Sequence, residues 1–221
     1  MLRVDLDRQL NQLQQEVVSL AAIVDKAALR AVSALKDRDL EESQRVINED
    51  DYIDQKRYEI EERCIDLIAT QQPMARDLRH IVSLLHITVE LERIGDYAEG
   101  ISKISLLMGA DQTLNPRVDI PQMADKATQM LRKSIDSLIT KDVIMANQVL
   151  LDDDVVDALY DQVYRELLLF MVENPKTIKR ETYLLWVSHD LERIADRATN
   201  IAERVIYLIT GKIVSAEPNE S

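Results

Sequence analysis

Two phrases of this chain, ELERIGDYAEGIS from Glu90 to Ser102 and DLERIADRATNIA from Asp190 to Ala202, stand one hundred positions apart and read almost alike. The likeness extends upstream. Leu35, Asp39, Asp50, Asp51 and Asp54 return as Leu138, Asp142, Asp153, Asp154 and Asp157, one hundred and three positions later. The three-residue difference falls at the turn before the repeated phrase. A chain that repeats itself at this period must build one supersecondary unit twice, and each unit has to cover the apolar face of the other or of a neighbour.

The unit is helical. Leu6, Leu10, Leu13, Val17, Leu20, Val24, Ala27, Ala31 and Leu35 recur at spacings of three and four, which draws one apolar stripe down a long first helix. That average spacing suits helices crossing at shallow angles in a bundle. Only 4 Gly and 5 Pro are available to turn the chain, and aromatic residues make up 4% of it, which argues against sheets. Asp39 with Glu42 three residues on, and Asp142 after Thr140-Lys141, read as N-caps opening second helices after short turns. Gln72-Pro73 and Asn174-Pro175 mark where third helices begin. The stretch 109–121, GADQTLNPRVDIP, reads as a linker, and residues 214–221 as a disordered tail. The expectation is an all-α protein of six long helices. Two tandem three-helix bundles, 1–108 and 122–213, are related by an internal pseudo-twofold repeat.

Charge removes several partner classes. The formal net charge is −13, and no local basic patch interrupts it, so nucleic acid is not an expected partner. The longest apolar block, Leu167 to Val172, lies between Glu166 and Glu173, far short of the about 18 to 20 residues that cross a bilayer. An acidic surface is repelled by anionic headgroups, so membrane association is expected to be indirect. The N-terminus lacks a secretory pattern and Cys64 has no second cysteine to pair with, which points to a cytoplasmic setting.

On a helical wheel Glu92, Asp96 and Glu99 fall opposite Leu91, Ile94, Ala98 and Ile101, and Glu192 and Asp196 fall opposite Leu191, Ile194, Ala198 and Ile201. Asp50 with Asp54, and Asp153 with Asp157, form acidic pairs of the same four-residue spacing on the second helices. Such a face is what any solvated helix shows, and each like-charge pair costs only about 0.2 to 0.5 kcal/mol. Recurrence at one helical phase in both halves is the feature that points further. If neighbouring helices bring their pairs together, each half gathers four carboxylates. Such all-oxygen clusters suit magnesium, manganese, calcium or iron, whereas zinc would recruit His or Cys. His80, His86 and His189 lie outside these motifs. The doubled Glu-x-x-His of a buried di-iron bundle is absent from the sequence. No nucleophile-base pairing or Gly-rich phosphate loop is visible, so a non-enzyme is expected.

The twin Glu-Arg-Ile-(Gly/Ala)-Asp phrases at Glu92 to Asp96 and Glu192 to Asp196, on the third helix of two tandem three-helix repeats, resemble the PhoU family of phosphate-uptake regulators. The resemblance covers most of the chain. It implies a cytoplasmic adaptor that associates with the membrane-bound phosphate ABC transporter, through its ATPase subunit, and with the phosphate-sensing histidine kinase. Through these partners it restrains phosphate uptake and the phosphate-starvation response. It also implies that Glu92, Asp96, Glu192 and Asp196, with Asp50, Asp54, Asp153 and Asp157 from the second helices, hold multinuclear iron or another hard metal ion in some members. Arg93 and Arg193, beside the acidic face, either anchor partner carboxylates or offset local charge. Asn200, where the first half has Gly100, is a further candidate contact. Long helices carrying Tyr97 and Tyr207 suggest a homodimer. A metal-dependent phosphate-ester hydrolase and a purely structural scaffold are the alternatives.

Overall fold

The computed structural model describes residues 2–110 and 119–213. Six helices carry the fold: α1 (Leu2–Asp37), α2 (Leu40–Gln71), α3 (Arg76–Met108), α4 (Ile120–Thr140), α5 (Val143–Glu173) and α6 (Ile178–Thr210). Among the described residues there is no strand. Most of the expected linker, residues 111–118, and the tail from 214 lie outside the described residues. Ile120 and Pro121, which the sequence assigned to the linker, form the first turn of α4, where Asp119 caps the helix by accepting from Gln122 N.

Every residue of the predicted α1 stripe, from Leu6 to Leu35, is buried. Asp39 and Asp142 cap α2 and α5 as expected, through bonds to Glu42 N and to Ile144 N and Met145 N. The Glu42 side chain does not return to the cap. It lies against Arg30 and Arg45 instead, because two guanidinium groups outbid one backbone N–H for a carboxylate. The two prolines behave differently. Pro175 opens a 3-10 turn, Pro175–Thr177, that runs directly into α6. Pro73 lies in a turn between Gln72 (φ 47°) and Ala75 (φ 45°), and α3 starts only at Arg76.

Within each half the third helix packs against the other two. Across the halves α3 packs on α6 and α1 on α4, while α2 and α5 touch only their own bundle. The buried side chains of all six helices form one continuous core. Two three-helix units thus share a seam made by α1, α3, α4 and α6. Polar contacts brace that seam: Arg132 of α4 grips the Asp25 carboxylate of α1 with bonds of 2.9 and 3.0 Å. Tyr97 packs against the core, and Tyr207 sits half-buried beneath the Arg79 guanidinium at 5.9 Å, so neither ring is the exposed pairing surface the sequence suggested.

Candidate functional site

In the first half, α2 and α3 bring Asp54, Glu92 and Asp96 together so that one oxygen from each lies within 4.8 Å of the others. The four-residue spacing places Glu92 and Asp96 one turn apart on one face of α3, and Asp50 and Asp54 likewise on α2. Gly95 sets the distance between the helices. A Cβ there would stand 3.1 Å from Ile53 Cδ1 and Cγ2 and 3.4 Å from Asp50 Oδ1. The absent side chain therefore lets Ile53, buried in α2, seat against the α3 backbone with a carboxylate pair on either side of the contact.

The cluster is electrically strained. Burial, followed by the charges of Glu99, Asp96 and Asp54, pushes Asp50 up to about 7, with Lys103 opposing. Asp96 and Glu92 are also raised, first by burial and then by neighbouring carboxylates. Nearby cations relieve part of this: Arg57 stands 3.5 Å from Glu92, and Lys103 pairs with Glu99 at 2.5 Å. Glu99 belongs to the patch although the ligand set carried over from the family resemblance omits it. The exposed Arg93 borders the same face and opposes the rise at Glu92.

The second half repeats the layout with different occupants. Asp153, raised to about 6 by burial and then by Asp157 and Asp196, stands where Asp50 stands in the first half. Asp157 and Glu192 are raised for the same reasons, burial first and Asp196 next. All four carboxylates thus face one patch, but the tight trio is not repeated: among the described residues only the first half brings three ligating oxygens so close. Arg193 spans the second patch instead, 2.7 Å from Asp196 and 3.1 Å from Glu192. Tyr160 occupies the place of Arg57, and Thr199 that of Glu99.

Asn200 lies at the seam, one helical turn beyond Asp196 of the second patch. Its amide donates to Glu90 at 3.1 Å, and Arg197 reaches the same carboxylate at 3.2 Å. At the pseudo-equivalent position Gly100 leaves room for Asp190, whose Oδ2 would stand 3.1 Å from a Cβ. The Gly/Asn difference between the repeats therefore shapes the junction of the halves. Any partner contact by Asn200 has to be made alongside its bond to Glu90.

The pattern of the PhoU domain matches residues 17–105 and again residues 120–205. The chain belongs to the PhoU family. A protein of Aquifex aeolicus, described as a phosphate-specific transport system accessory protein PhoU homolog, is 40% identical over 95% of both chains. A protein of Clostridium acetobutylicum with the same description is 36% identical, covering 97% of this chain and 98% of its own length. The crystal structure of PhoU from Pseudomonas aeruginosa superposes with a TM-score of 0.88 at 33% identity, covering 93% of this chain and 99% of that one. Each matched span falls within one of the two three-helix units.

The residues present fit a hard cation. Metal–oxygen bonds of about 2.0 to 2.6 Å let two ligand oxygens of one ion stand up to about 5 Å apart, which the trio satisfies. The donors are all oxygen, and the raised carboxylates describe negative charge that a bound cation would offset. Asp54, Glu92 and Asp96 would supply the inner oxygens, with Asp50 and Glu99 behind them. Such an ion would let an acidic face attract anions that it otherwise repels.

Proposed function

We propose that this chain is a non-enzymatic regulator of phosphate homeostasis that restrains phosphate uptake and the phosphate-starvation response. In this reading it is a cytoplasmic adaptor between the ATPase subunit of the phosphate ABC transporter and the phosphate-sensing histidine kinase, reaching the membrane only through them. The observation that carries the reading is the match of both repeats to one family whose relatives are described as accessory proteins of phosphate-specific transport. It is also in keeping with the helices: among the described residues none is long and apolar enough to cross a membrane. The acidic patches at Asp50, Asp54, Glu92 and Asp96, and at Asp153, Asp157, Glu192 and Asp196, hold a metal such as iron, manganese, magnesium or calcium, or meet a partner. Arg93 flanks the first patch and is available to a partner, whereas Arg193 is spent on charge offset. A homodimer formed through a face other than these patches completes the reading, and sedimentation of the purified chain tests that part.

The test is deletion and replacement in the source organism. Loss of the chain derepresses phosphate uptake at high phosphate; the intact chain restores control. The Asp54→Ala/Glu92→Ala/Asp96→Ala variant folds but loses bound metal or regulation. Uptake that stays normal in the deletion strain overturns the regulator.

One observation favours a second reading, a metal-dependent phosphate-ester hydrolase: the oxygen trio is also what would hold a metal that activates water. That reading requires turnover of phosphate esters by the metal-loaded protein, abolished in Glu92→Ala. The regulator shows none.

A further inference from the structure

The outer face of α5 is built like half of a coiled coil, and the adaptor reading leaves it unused. α5 turns Val149, Val156, Val163 and Leu167 into the core. On the opposite side Ile144, Leu151, Val155, Leu169 and Val172 lie in solvent, exposed by 83%, 62%, 47%, 65% and 79%. With Ala158, Gln162 and Arg165 between them, these positions step by sevens or by alternating fours and threes. That spacing keeps a seam facing one partner helix over about 42 Å.

The chain supplies its own control. α2 is the same helix in the other repeat, and at the matching places it carries Glu41, Asn48 and Asp66 where α5 has Ile144, Leu151 and Leu169, while Tyr52 and Ala69 stand where α5 has Val155 and Val172. A merely solvated helix has no need of Ile144, Leu151 and Leu169 where its counterpart carries Glu41, Asn48 and Asp66, and large exposed apolar side chains aligned along one face mark an interaction site.

Charge chooses the occupant. Asp154 and Asp161 border the seam on one side and Glu166 on the other, and Arg165, within the seam, is the sole cation of the helix. Flanking charges of this kind select a partner by complementarity. A second α5 would bring acid against acid, and an anionic lipid surface is repelled for the same reason.

We infer that the outward face of α5 is a docking surface for a basic amphipathic helix of a partner protein. The inference rests on the adaptor reading and assigns one of its contacts to a place in the fold.

The probe is a labelled helical peptide of Leu–Lys heptads, with a Leu–Glu peptide as its counterpart, titrated by fluorescence anisotropy against the full chain. The basic peptide binds and the acidic one does not. The Leu151→Gln/Leu169→Gln variant, altered only at exposed positions and checked by circular dichroism, weakens binding about tenfold or more, while Tyr52→Gln on α2 leaves it within about twofold. Equal binding by the double variant, or equal binding of the acidic peptide, overturns the inference. So does a dimer that the double variant dissociates, since a second copy is then the occupant. In cells the two readings separate. A deletion that leaves uptake unregulated, fully restored by the Leu151→Gln/Leu169→Gln chain, removes the α5 surface alone; a deletion without effect removes the adaptor reading and leaves the peptide result standing.

Discussion

Asp50 concentrates the physics of the candidate site in one side chain. It is half-buried and faces Asp54, Asp96 and Glu99, and its carboxyl is pushed up to about 7. Because the folded state holds this proton more tightly than the unfolded chain, stability falls as pH rises from about 4 through about 7, and is unaffected by the group below that window. Asp50→Asn removes the titration. In chelator-treated protein the variant is expected to be more stable than the parent by about 1 kcal/mol at pH 8, after discounting for solvent screening, with the gain vanishing near pH 4. Denaturant melts at the two pH values check this, and a variant less stable than the parent at pH 8 would mean that a hydrogen bond, not charge, governs the position. Cys64 illustrates the opposite case, a reactive group made inert. It is wholly buried and its thiol is pushed up to about 12 by burial, so the thiolate needed for alkylation is scarce as well as inaccessible. Iodoacetamide should label it at the rate of global unfolding, and fast labelling of the folded chain would show that α2 opens locally.

At the scale of single helices, Gly95 decides whether carboxylates on two helices meet. Its missing Cβ admits Ile53 at 3.1 Å, so Gly95→Leu forces α2 and α3 apart and is expected to cost about 1 to 3 kcal/mol, as overfilled cores do. The divalent ion proposed for the first patch should be lost with the stability, measured by thermal melts with and without manganese. Full retention of ion binding would show that the helix spacing does not hold the site. The second half tolerates a Cβ here, since Ala195 is buried in the corresponding place opposite Val156. Much of this was legible in the sequence because it is periodic: the α1 stripe, the caps at Asp39 and Asp142, and the placing of each acidic pair on one helical face follow from spacing alone. What was not legible depends on distances between helices. Spacing cannot say that Asp54, Glu92 and Asp96 close into a trio while Arg193 spans the matching patch, because tenths of an ångström at Gly95 and the rotamer of one arginine decide it. The start of α3 also escaped, since Gln72 and Ala75 adopt positive φ and delay the helix past Pro73.

For the whole molecule the repeat raises the question of whether each half is a folding unit. The seam answers it. α3 is pressed between α1, α2 and α6, and α6 between α3, α4 and α5, while the core runs through all six helices without a break. Separating the halves would expose the faces of α3 and α1 that α6 and α4 now cover, and would leave Glu90 without Arg197 and Asn200. A three-helix unit of this size buries a smaller share of its surface than the full chain does, and stability is the small remainder between burial and chain entropy. Losing one of its main packing faces should therefore remove most of that remainder. The intact chain is expected to unfold in one calorimetric transition whose van't Hoff and calorimetric enthalpies agree. The fragment 1–108, made alone, should either fail to melt cooperatively or associate to cover the vacant face. A monomeric fragment that melts cooperatively at the temperature of the full chain would show that the seam joins two finished domains, and the patches on the two halves would then have to act independently rather than as parts of one rigid body.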